Sequence, residues 1–233
     1  MINNFDTIDK FLNFEDGYFY KFEALVRNTD GENSLFEKGY SNTNKNILIK
    51  NWYVDNKEYY ERSKKEMIEL CNMTGARLYV TLDRKEKKKL LIQMFNTVSK
   101  ILTNYICGDI PSLKSITKLL ASCSSVIETS EHKSRTIMFD VDTKNEDILE
   151  IVKLYILENN ETPYCLETKK GYHVFCYKKF KTENWVEVMT ERYFNDIKFE
   201  DIIAENNYKS SFKARLSNVV SMKPNELGLV YLP

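Results

Sequence analysis

The sequence contains few of the residues that interrupt or link folded segments, with 7 glycines and 4 prolines among 233 residues. This scarcity argues against long flexible linkers, and the length suits one domain or two small ones. No stretch approaches the roughly 18 consecutive apolar residues that a membrane helix needs. The N-terminal residues 1–11 are polar and acidic, unlike a secretion signal. We therefore expect a protein without a membrane span that works in the cytoplasm.

Charge and cysteine content narrow the possible functions further. Lysine plus arginine and aspartate plus glutamate each number 34, so the formal net charge is zero. Nucleic-acid binding would therefore have to come from local patches. The five cysteines form no Cys-x-x-Cys pair, which disfavours a structural zinc site. Cys107, Cys123 and His132 could supply three ligands, but reduced thiols in core positions and a loop histidine are the simpler interpretation.

The N-terminal part reads as strands and helices, beginning with a hairpin over residues 17–40 that turns at residues 30–31. Strands follow over 46–55 and 76–82. Helices are expected over 56–75, 83–106 and 109–127, with Asn56 and Asp83 as the caps of the first two and Gly75 as a stop. The lysines that open the helix over 83–106 are interpreted as a solvated first turn.

The C-terminal part has a clearer pattern. It predicts a strand over 135–142, a helix over 145–160, strands over 163–169 and 172–180, a helix over 182–194 and a last strand over 227–233. Ile137, Phe139 and Val141 of the first strand should face a core. The helix over 145–160 has one apolar face, made of Ile148, Ile151, Val152, Tyr155 and Ile156. This order predicts an α+β fold in which an antiparallel sheet carries its helices on one face. The opposite face of the sheet is expected to be open.

Two aspartates end the strand over 135–142. Positions two apart on a strand point the same way, so Asp140 and Asp142 should share the open face with Met138, and their Cα atoms should lie about 6.5–7 Å apart. Two ionised carboxylates this close repel each other unless water or a cation screens them. The pair is therefore either a solvated strand end or half of a metal site.

The stretch 167-ETKKGYHVF-175 offers groups that suit a phosphate. Lys169 and Lys170 add positive charge at a tight turn, and Gly171 lets the backbone approach a ligand closely. Exposed backbone N–H groups at such a turn can cradle an anion. His173 can donate a hydrogen bond to a phosphate oxygen. The rings of Tyr172 and Phe175 could stack on bases, although core packing explains Tyr172 at least as well.

Carboxylates on one strand and phosphate donors on a nearby hairpin are what nucleotidyl transfer needs. The acidic groups hold Mg²⁺ or Mn²⁺, and basic groups stabilise the charge that develops on the phosphates. A third carboxylate usually completes a two-metal site. Each half of this pattern is weak alone, and their occurrence together in this order favours a site.

The two motifs resemble those of the archaeo-eukaryotic primase (primase-polymerase) superfamily, especially its small phage and plasmid members. Asp140-Val141-Asp142 is similar to the family's first motif, and Gly171-Tyr172-His173 is similar to its second. The resemblance implies that the aspartates bind metal and that the histidine contacts the nucleotide phosphate. It also implies an N-terminal α/β unit joined to a modified RNA-recognition-like module. The Asn-, Lys-, Ile- and Tyr-rich composition is associated with AT-rich genomes such as those of bacteriophages.

The chain departs from the family at the third motif, where a further acid is expected on a late strand. The corresponding region, 217-SNVVSMKPNELGLVYLP-233, offers Asn218 or Ser221, followed by Lys223. The possible substitutes are poorly placed in the sequence: Asp196, Asp201 and Glu226. With two carboxylates only, one metal would be held weakly.

Three hypotheses follow. The first is a metal-dependent primase or polymerase of phage or plasmid replication, a single catalytic domain over 1–233 with an N-terminal part (1–82 and 83–134) and an RNA-recognition-like part (135–233). It would use nucleoside triphosphates and a single-stranded DNA or RNA template, with a replicative helicase as an optional partner. The second is a catalytically degenerate module of the same fold that binds nucleic acid or a replication partner. The third is an unrelated interaction protein in which the motifs are coincidental.

Overall fold

The computed structural model describes residues 1–27, 46–127, 136–177, 184–193, 213, 216–224 and 227–233, with Tyr193, Lys223 and Pro224 described by their backbone alone. The chain divides into two compact units. The first contains Met1–Phe11 and Lys133–Tyr231, and the second contains Leu12–His132 and Leu232–Pro233. Residues 1–11 therefore group with the C-terminal half of the chain, although the sequence suggested that they belong with the N-terminal part.

The elements are numbered in chain order. The described strands are β1 (Ile2–Asn3), β2 (Tyr18–Val26), β3 (Ile47–Val54), β4 (Arg77–Thr81), β5 (Lys85–Glu86), β6 (Thr136–Val141), β7 (Tyr164–Glu167), β8 (Tyr172–Tyr177), β9 (Val220–Pro224) and β10 (Leu227–Leu232). The described α-helices are α1 (Phe5–Phe11), α2 (Lys57–Thr74), α3 (Lys87–Ile106), α4 (Leu119–Val126), α5 (Glu146–Glu158) and α6 (Trp185–Tyr193), and a 3₁₀ helix covers Ile110–Lys118. The α+β class with antiparallel sheets is confirmed.

The first unit is built on a four-stranded sheet with the spatial order β7-β8-β6-β9. All three pairings, β7 with β8, β8 with β6 and β6 with β9, are antiparallel. Helix α5 connects β6 to β7, and α6 lies between β8 and β9 in the chain. Strand β6 is therefore central, and its side chains have neighbours on both sides.

One face of this sheet carries the core of the first unit, as the alternation of β6 predicted. Ile137, Phe139 and Val141 pack with the buried face of α5. That helical face is the one expected from the sequence, made of Ile148, Ile151, Val152, Tyr155 and Ile156. The side chain of Asn145 caps α5 by accepting a hydrogen bond from the Ile148 N–H, at 3.0 Å.

The opposite face of the sheet is partly covered, which corrects the expectation of an open face. Phe11, the last residue of α1, lies edge-on to Tyr164 and Phe175 and stacks on Tyr177. Asn4 ties the same N-terminal segment down, because its amide nitrogen donates to the carbonyls of Glu167 and Leu229, both at 2.9 Å. Its amide oxygen accepts from the Glu167 N–H, also at 2.9 Å.

The last strand of the four-stranded sheet is not the one that the sequence suggested. Strand β9 pairs with β6, whereas β10 pairs with β1. Five residues that include a lysine and a proline make β9 a weak strand pattern, while the apolar run of β10 is the stronger local signal. The sequence pattern identified β10 correctly as a strand and missed β9.

In the second unit, β2 is the central strand and pairs antiparallel with β3, β4 and β5. Helix α2 packs on this sheet: Tyr60 stacks on Phe22 of β2, and both Tyr60 and Met67 are buried. The predicted ends of α2 are confirmed: the Asn56 side chain accepts from the Tyr59 N–H at 2.8 Å, and Gly75 adopts the left-handed conformation with φ of 66°. The predicted turn at residues 30–31 lies outside the described residues.

The start of α3 differs from the prediction. Asp83 is buried rather than capping a helix, and the residues after it form β5, which pairs with Tyr18 and Phe19 of β2. The helix therefore begins at Lys87, four residues later than expected. The predicted helix over 109–127 consists of the 3₁₀ helix followed by α4. None of the described helices is long and apolar enough to cross a membrane.

Candidate functional site

The central pair of the site is Asp140 and His173. Asp140 is the fifth residue of β6, and His173 is its direct cross-strand partner on β8. The two side chains therefore leave the sheet on the same face, with His173 Nε2 lying 3.5 Å from Asp140 Oδ1. Their side chains are 14% and 17% exposed. Strand pairing thus brings together a carboxylate and an imidazole that are far apart in the sequence.

Asp142 follows the last residue of β6 and is exposed. Its backbone N–H donates to the Val219 carbonyl at 2.7 Å, so the main chain is held where the strand ends. This bond continues the β6–β9 ladder by one step, since Val141 pairs with Val220. The backbone of Asp142 is therefore held in place, and its exposed carboxylate lies at the edge of the site, next to the partly buried Asp140.

The turn between β7 and β8 lies directly against this end of β6. A Cβ atom added to Gly171 would lie 1.8 Å from the Val141 carbonyl oxygen and 2.7 Å from the Thr143 nitrogen. Only glycine allows this approach. The glycine thus serves contact with the chain's own backbone at Val141–Thr143, whereas the sequence suggested contact with a ligand.

Two hydrogen bonds within the turn join Thr168 to Gly171. The Thr168 N–H donates to the Gly171 carbonyl at 2.9 Å, and the Gly171 N–H donates to the Thr168 hydroxyl at 3.0 Å. The Gly171 N–H is therefore engaged by Thr168, so it is not one of the exposed N–H groups that could cradle an anion at this turn. Lys169 and Lys170 are exposed at the tip of the turn and present two ammonium groups to solvent.

Tyr172 points to the helical face of the sheet, away from His173. Its hydroxyl donates to Glu146 Oε1 at 2.6 Å, and this bond raises the pKa of Tyr172 to about 12. Lys144 lies 4.9 Å from the ring centre and pairs with Glu167 at 2.8 Å. Of the predicted nucleotide-binding residues, Tyr172 is thus the one that the structure places on the other face. Its contacts instead fix the segment that follows Asp142.

Phe175, the other aromatic residue considered for base stacking, is fully buried. It stacks on Tyr164, with ring centres 5.5 Å apart, and it contacts Phe11 edge-on. Stacking of a base on Phe175 is therefore excluded in this structure. The aromatic cluster closes the sheet face near one end of β8, and the Asp140–His173 pair lies towards the other end.

Ser221 occupies the position where a third acid was expected. It is the direct partner of Asp140 on β9, so Asp140 lies between His173 on one side and Ser221 on the other. Ser221 and Asn218 are both exposed. The alternative acids, Asp196, Asp201 and Glu226, lie outside the described residues, as do His132, Arg135, Lys178 and Lys179.

The donor set limits which metal arrangements fit. Among the described residues, no group of three or more histidine, cysteine, aspartate or glutamate side chains is arranged to hold a metal ion. Two carboxylates without a third do fit a single Mg²⁺ or Mn²⁺, because such ions keep several waters and use one or two carboxylates together with substrate phosphates. Cys107 is exposed and Cys123 is buried, and all five cysteines are free thiols.

Several residues around the site had no recognisable sequence signal. Lys144, Glu146 and Thr168 shape the two loops that flank Asp142, but each is a common surface residue in sequence. The Lys-Lys-Gly turn was informative, because it indicated a close approach of the backbone at Gly171. It did not indicate which atoms come close to this glycine. Comparison of the chain with protein-family models, with curated proteins and with solved structures finds no match.

Proposed function

We propose that this protein is a metal-dependent nucleotidyltransferase of the primase–polymerase type, working in phage or plasmid DNA replication. The observation that carries the proposal is the cross-strand pairing of Asp140 with His173, with Asp142 at the end of the same strand. A carboxylate pair and an imidazole on adjacent strands are the groups that the resemblance assigns to metal and to nucleotide phosphate.

The topology of the first unit supports the finer description of this module as RNA-recognition-like. The described elements from β6 to β9 follow the order strand, helix, strand, strand, helix, strand, which is the split β-α-β arrangement of ferredoxin-like modules. Helix α5 packs on the face opposite to the Asp140–His173 pair. The candidate site and the helical core therefore lie on different faces of the sheet.

The proposed roles follow from position and charge. Asp140 and Asp142 bind Mg²⁺ or Mn²⁺, which when bound neutralises phosphate charge and helps to position the triphosphate. His173, whose Nε2 lies 3.5 Å from Asp140 Oδ1, donates a hydrogen bond to a phosphate oxygen. Lys169 and Lys170 attract the triphosphate electrostatically from the tip of their turn. The remaining partners would be a single-stranded DNA or RNA template and a replicative helicase in the cytoplasm of a bacterial host.

A second candidate function is a non-catalytic module of the same fold that binds nucleotide or single-stranded nucleic acid. Ser221 favours it, since a hydroxyl stands beside Asp140 where a two-metal site would need a carboxylate. The internal use of the Gly171 N–H also favours it, because one potential phosphate donor is already engaged. In this version Asp140 and Asp142 still bind a metal–nucleotide complex.

Isothermal titration of Mn²⁺ with a nucleoside triphosphate tests the site, in wild type and in Asp140→Asn and Asp142→Asn variants. These substitutions keep side-chain size and remove the charge. We expect at least about tenfold weaker binding in each, because a charged metal ligand is lost. Asp147→Asn, at an exposed carboxylate in the first turn of α5, is the matched control and should bind as wild type does. Equal binding by all four proteins would refute the site.

Primer extension separates the two candidate functions. Incorporation that depends on Mn²⁺ and is lost in Asp140→Asn supports the enzyme, whereas nucleotide binding without incorporation supports the binding module. Ser221→Asp restores a carboxylate beside Asp140 and should tighten Mn²⁺ binding, while Asn218→Asp, near the start of β9, serves as its control. A Ser221→Asp variant that binds metal no better than the control would contradict the proposed geometry.

A further inference from the structure

Lys144 lies two residues after Asp142 in the sequence, but the two side chains do not pair. The ammonium group of Lys144 pairs with Glu167 at 2.8 Å and lies 4.9 Å from the centre of the Tyr172 ring. Asp142 is exposed and forms no ion pair with any residue that the structure describes. The carboxylate proposed to bind metal is therefore uncompensated, although a lysine is only two residues away.

The pairing of β7 with β8 places both contacts of Lys144 on one face of the sheet. Glu167 is the direct cross-strand partner of Tyr172, so both side chains leave the sheet on its helical face. His173 follows Tyr172 on β8 and points the other way, as does Asp140, its partner on β6. The ammonium group of Lys144 is thus held on the side of the sheet away from the Asp140–His173 pair.

Glu146, two residues further along the chain, is a second carboxylate on this face, and it has another partner. It accepts a hydrogen bond from the Tyr172 hydroxyl at 2.6 Å. Among the described residues, Glu167 is the one carboxylate with which Lys144 forms an ion pair. The side chain of Lys144 is 43% exposed and that of Glu167 is 56% exposed, so this is a surface pair whose lysine can exchange partners when Glu167 is changed.

A lysine released from Glu167 would compete with a metal ion for Asp142. Its long, flexible side chain lets the ammonium group turn towards a residue two positions away. An ammonium group beside a carboxylate offsets the negative charge and so weakens the attraction of that carboxylate for a divalent cation. Because the described residues hold no group of three or more possible metal ligands, compensation of one carboxylate would affect a large part of the site.

We propose that Glu167 is a positioning residue for metal binding: it retains Lys144 on the helical face and so leaves Asp142 available to a divalent cation. Glu167 itself does not touch the metal and acts through Lys144. The inference rests on the proposed function, because it takes Asp140 and Asp142 as the metal ligands. It adds a residue that sets the affinity of the site from the opposite face of the sheet.

Titration with Mn²⁺ alone, followed by the electron paramagnetic resonance signal of the free ion, tests the proposal on the full chain. Glu167→Gln keeps the size of the side chain and removes its charge, so Lys144 loses its partner. We expect Mn²⁺ to bind about threefold more weakly at low ionic strength, a factor typical of an exposed ion pair. The difference should shrink as salt is added, because salt screens the exposed charges.

A second substitution separates the release of Lys144 from the simple loss of the Glu167 charge. Lys144→Met alone should bind Mn²⁺ at least as tightly as wild type does. In the Lys144→Met background, Glu167→Gln should have little effect, since no ammonium group is left to be released. If Glu167 acted through stability alone, its substitution would have the same effect in both backgrounds.

Glu150→Gln is the matched control. Glu150 pairs with Lys153 at 2.7 Å on α5, and its side chain is 58% exposed, much as that of Glu167 is. The substitution removes the same charge from the same unit but frees a lysine in the middle of the helix. We expect this variant to bind Mn²⁺ as wild type does. The substituted side chains are all exposed, so the variants should fold, which thermal melting verifies.

Three results would overturn the proposal while leaving the metal site intact. Unchanged affinity in Glu167→Gln would show that Lys144 stays away from Asp142 without Glu167. Equal losses in the two backgrounds would show that Glu167 does not act through Lys144. Weaker binding in Lys144→Met alone would show that Lys144 supports binding rather than competing with the metal.

Failure of the proposed function gives a different result. A wild-type protein that binds no Mn²⁺, or an Asp142→Asn variant that binds it as wild type does, would refute the metal site and this inference together. The inference therefore fails alone only when wild type binds Mn²⁺, Asp142→Asn weakens that binding, and the Glu167 and Lys144 variants depart from the expected pattern.

Discussion

Replacing Gly171 by alanine tests the contact that joins the two loops of the candidate site. The added Cβ would lie 1.8 Å from the Val141 carbonyl oxygen and within 2.8 Å of both the nitrogen and the oxygen of Thr143. Non-bonded carbon atoms ordinarily lie about 3.5–4.0 Å from their neighbours. The contact with the Val141 oxygen would therefore be too short by well over 1 Å. The obstacle is backbone on every side, so no flexible side chain can move away to relieve it.

The cost can be estimated from overpacking. Forcing one extra carbon into a closely packed position destabilises a protein by about 1–3 kcal/mol, and a clash with rigid backbone belongs at the upper end. For a protein of this size each kcal/mol lowers Tm by about 2–4 °C. We therefore expect Gly171→Ala to lower Tm by roughly 5–12 °C. To relieve the clash, the turn has to move away from Val141–Thr143, the segment that contains Asp142. The variant should therefore also bind the Mn²⁺–nucleotide complex more weakly.

Differential scanning calorimetry of the variant, followed by the Mn²⁺ titration, measures both effects. Lys170→Ala is the matched control for Tm alone: it changes the neighbouring exposed residue, loses a charge and creates no clash. Its Tm should stay within about 1 °C of wild type, because exposed substitutions away from special features are nearly neutral. A Gly171→Ala protein that melts with wild type and binds metal normally would show that the turn does not press on the end of β6.

Three further predictions concern local features. Asn56→Ala removes the cap of α2 and should destabilise the protein by about 1 kcal/mol, measured by urea denaturation. The hydrogen bond to Glu146 raises the pKa of Tyr172 from 10.0 to about 12. The stability that this bond contributes is therefore present below pH 10 and is lost as the pH rises towards 12. Tyr172→Phe should make the stability less dependent on pH over this range, which denaturation at several pH values measures. Exposed Cys107 should be the thiol that reacts fastest with a disulfide reagent at neutral pH, since burial raises the pKa of Cys176 to about 12; Cys107→Ser should remove the fast phase.

Elements marked by local sequence signals were predicted well. Helix α2 has a side-chain cap at Asn56, a left-handed stop at Gly75 and a regular apolar face between them, and all three depend on neighbouring residues alone. Strand β6 directs Ile137, Phe139 and Val141 to the helical core as expected, although Thr136 and Met138, on the other face, are buried as well. The strand patterns predicted that Asp140 and His173 lie on neighbouring strands, and the register that sets them directly opposite each other comes from the structure alone.

The features that the sequence missed depend on partners far along the chain. Asp83 resembles a cap, but pairing of Lys85 and Glu86 with β2 delays the start of α3. The turn at Gly171 looks suited to an anion, but the atoms that fill its space belong to Val141 and Thr143. The cover over the second sheet face comes from Phe11, which no local pattern connects to β8. Each miss is a case in which tertiary contact overrides a local preference.

The side chain of Asn4 has a consequence for how the chain is made. It binds carbonyl oxygens at Glu167 and Leu229, the latter 225 positions later in the sequence. A ribosome adding about 5–20 residues per second needs roughly 10–45 s to cover that interval. During synthesis the side chain of Asn4 therefore lacks these acceptors until nearly the whole chain has emerged. Strands β2 to β5 and helix α2 have emerged long before that point. The first unit, which holds the candidate site, is thus expected to fold last although its first strand is made first.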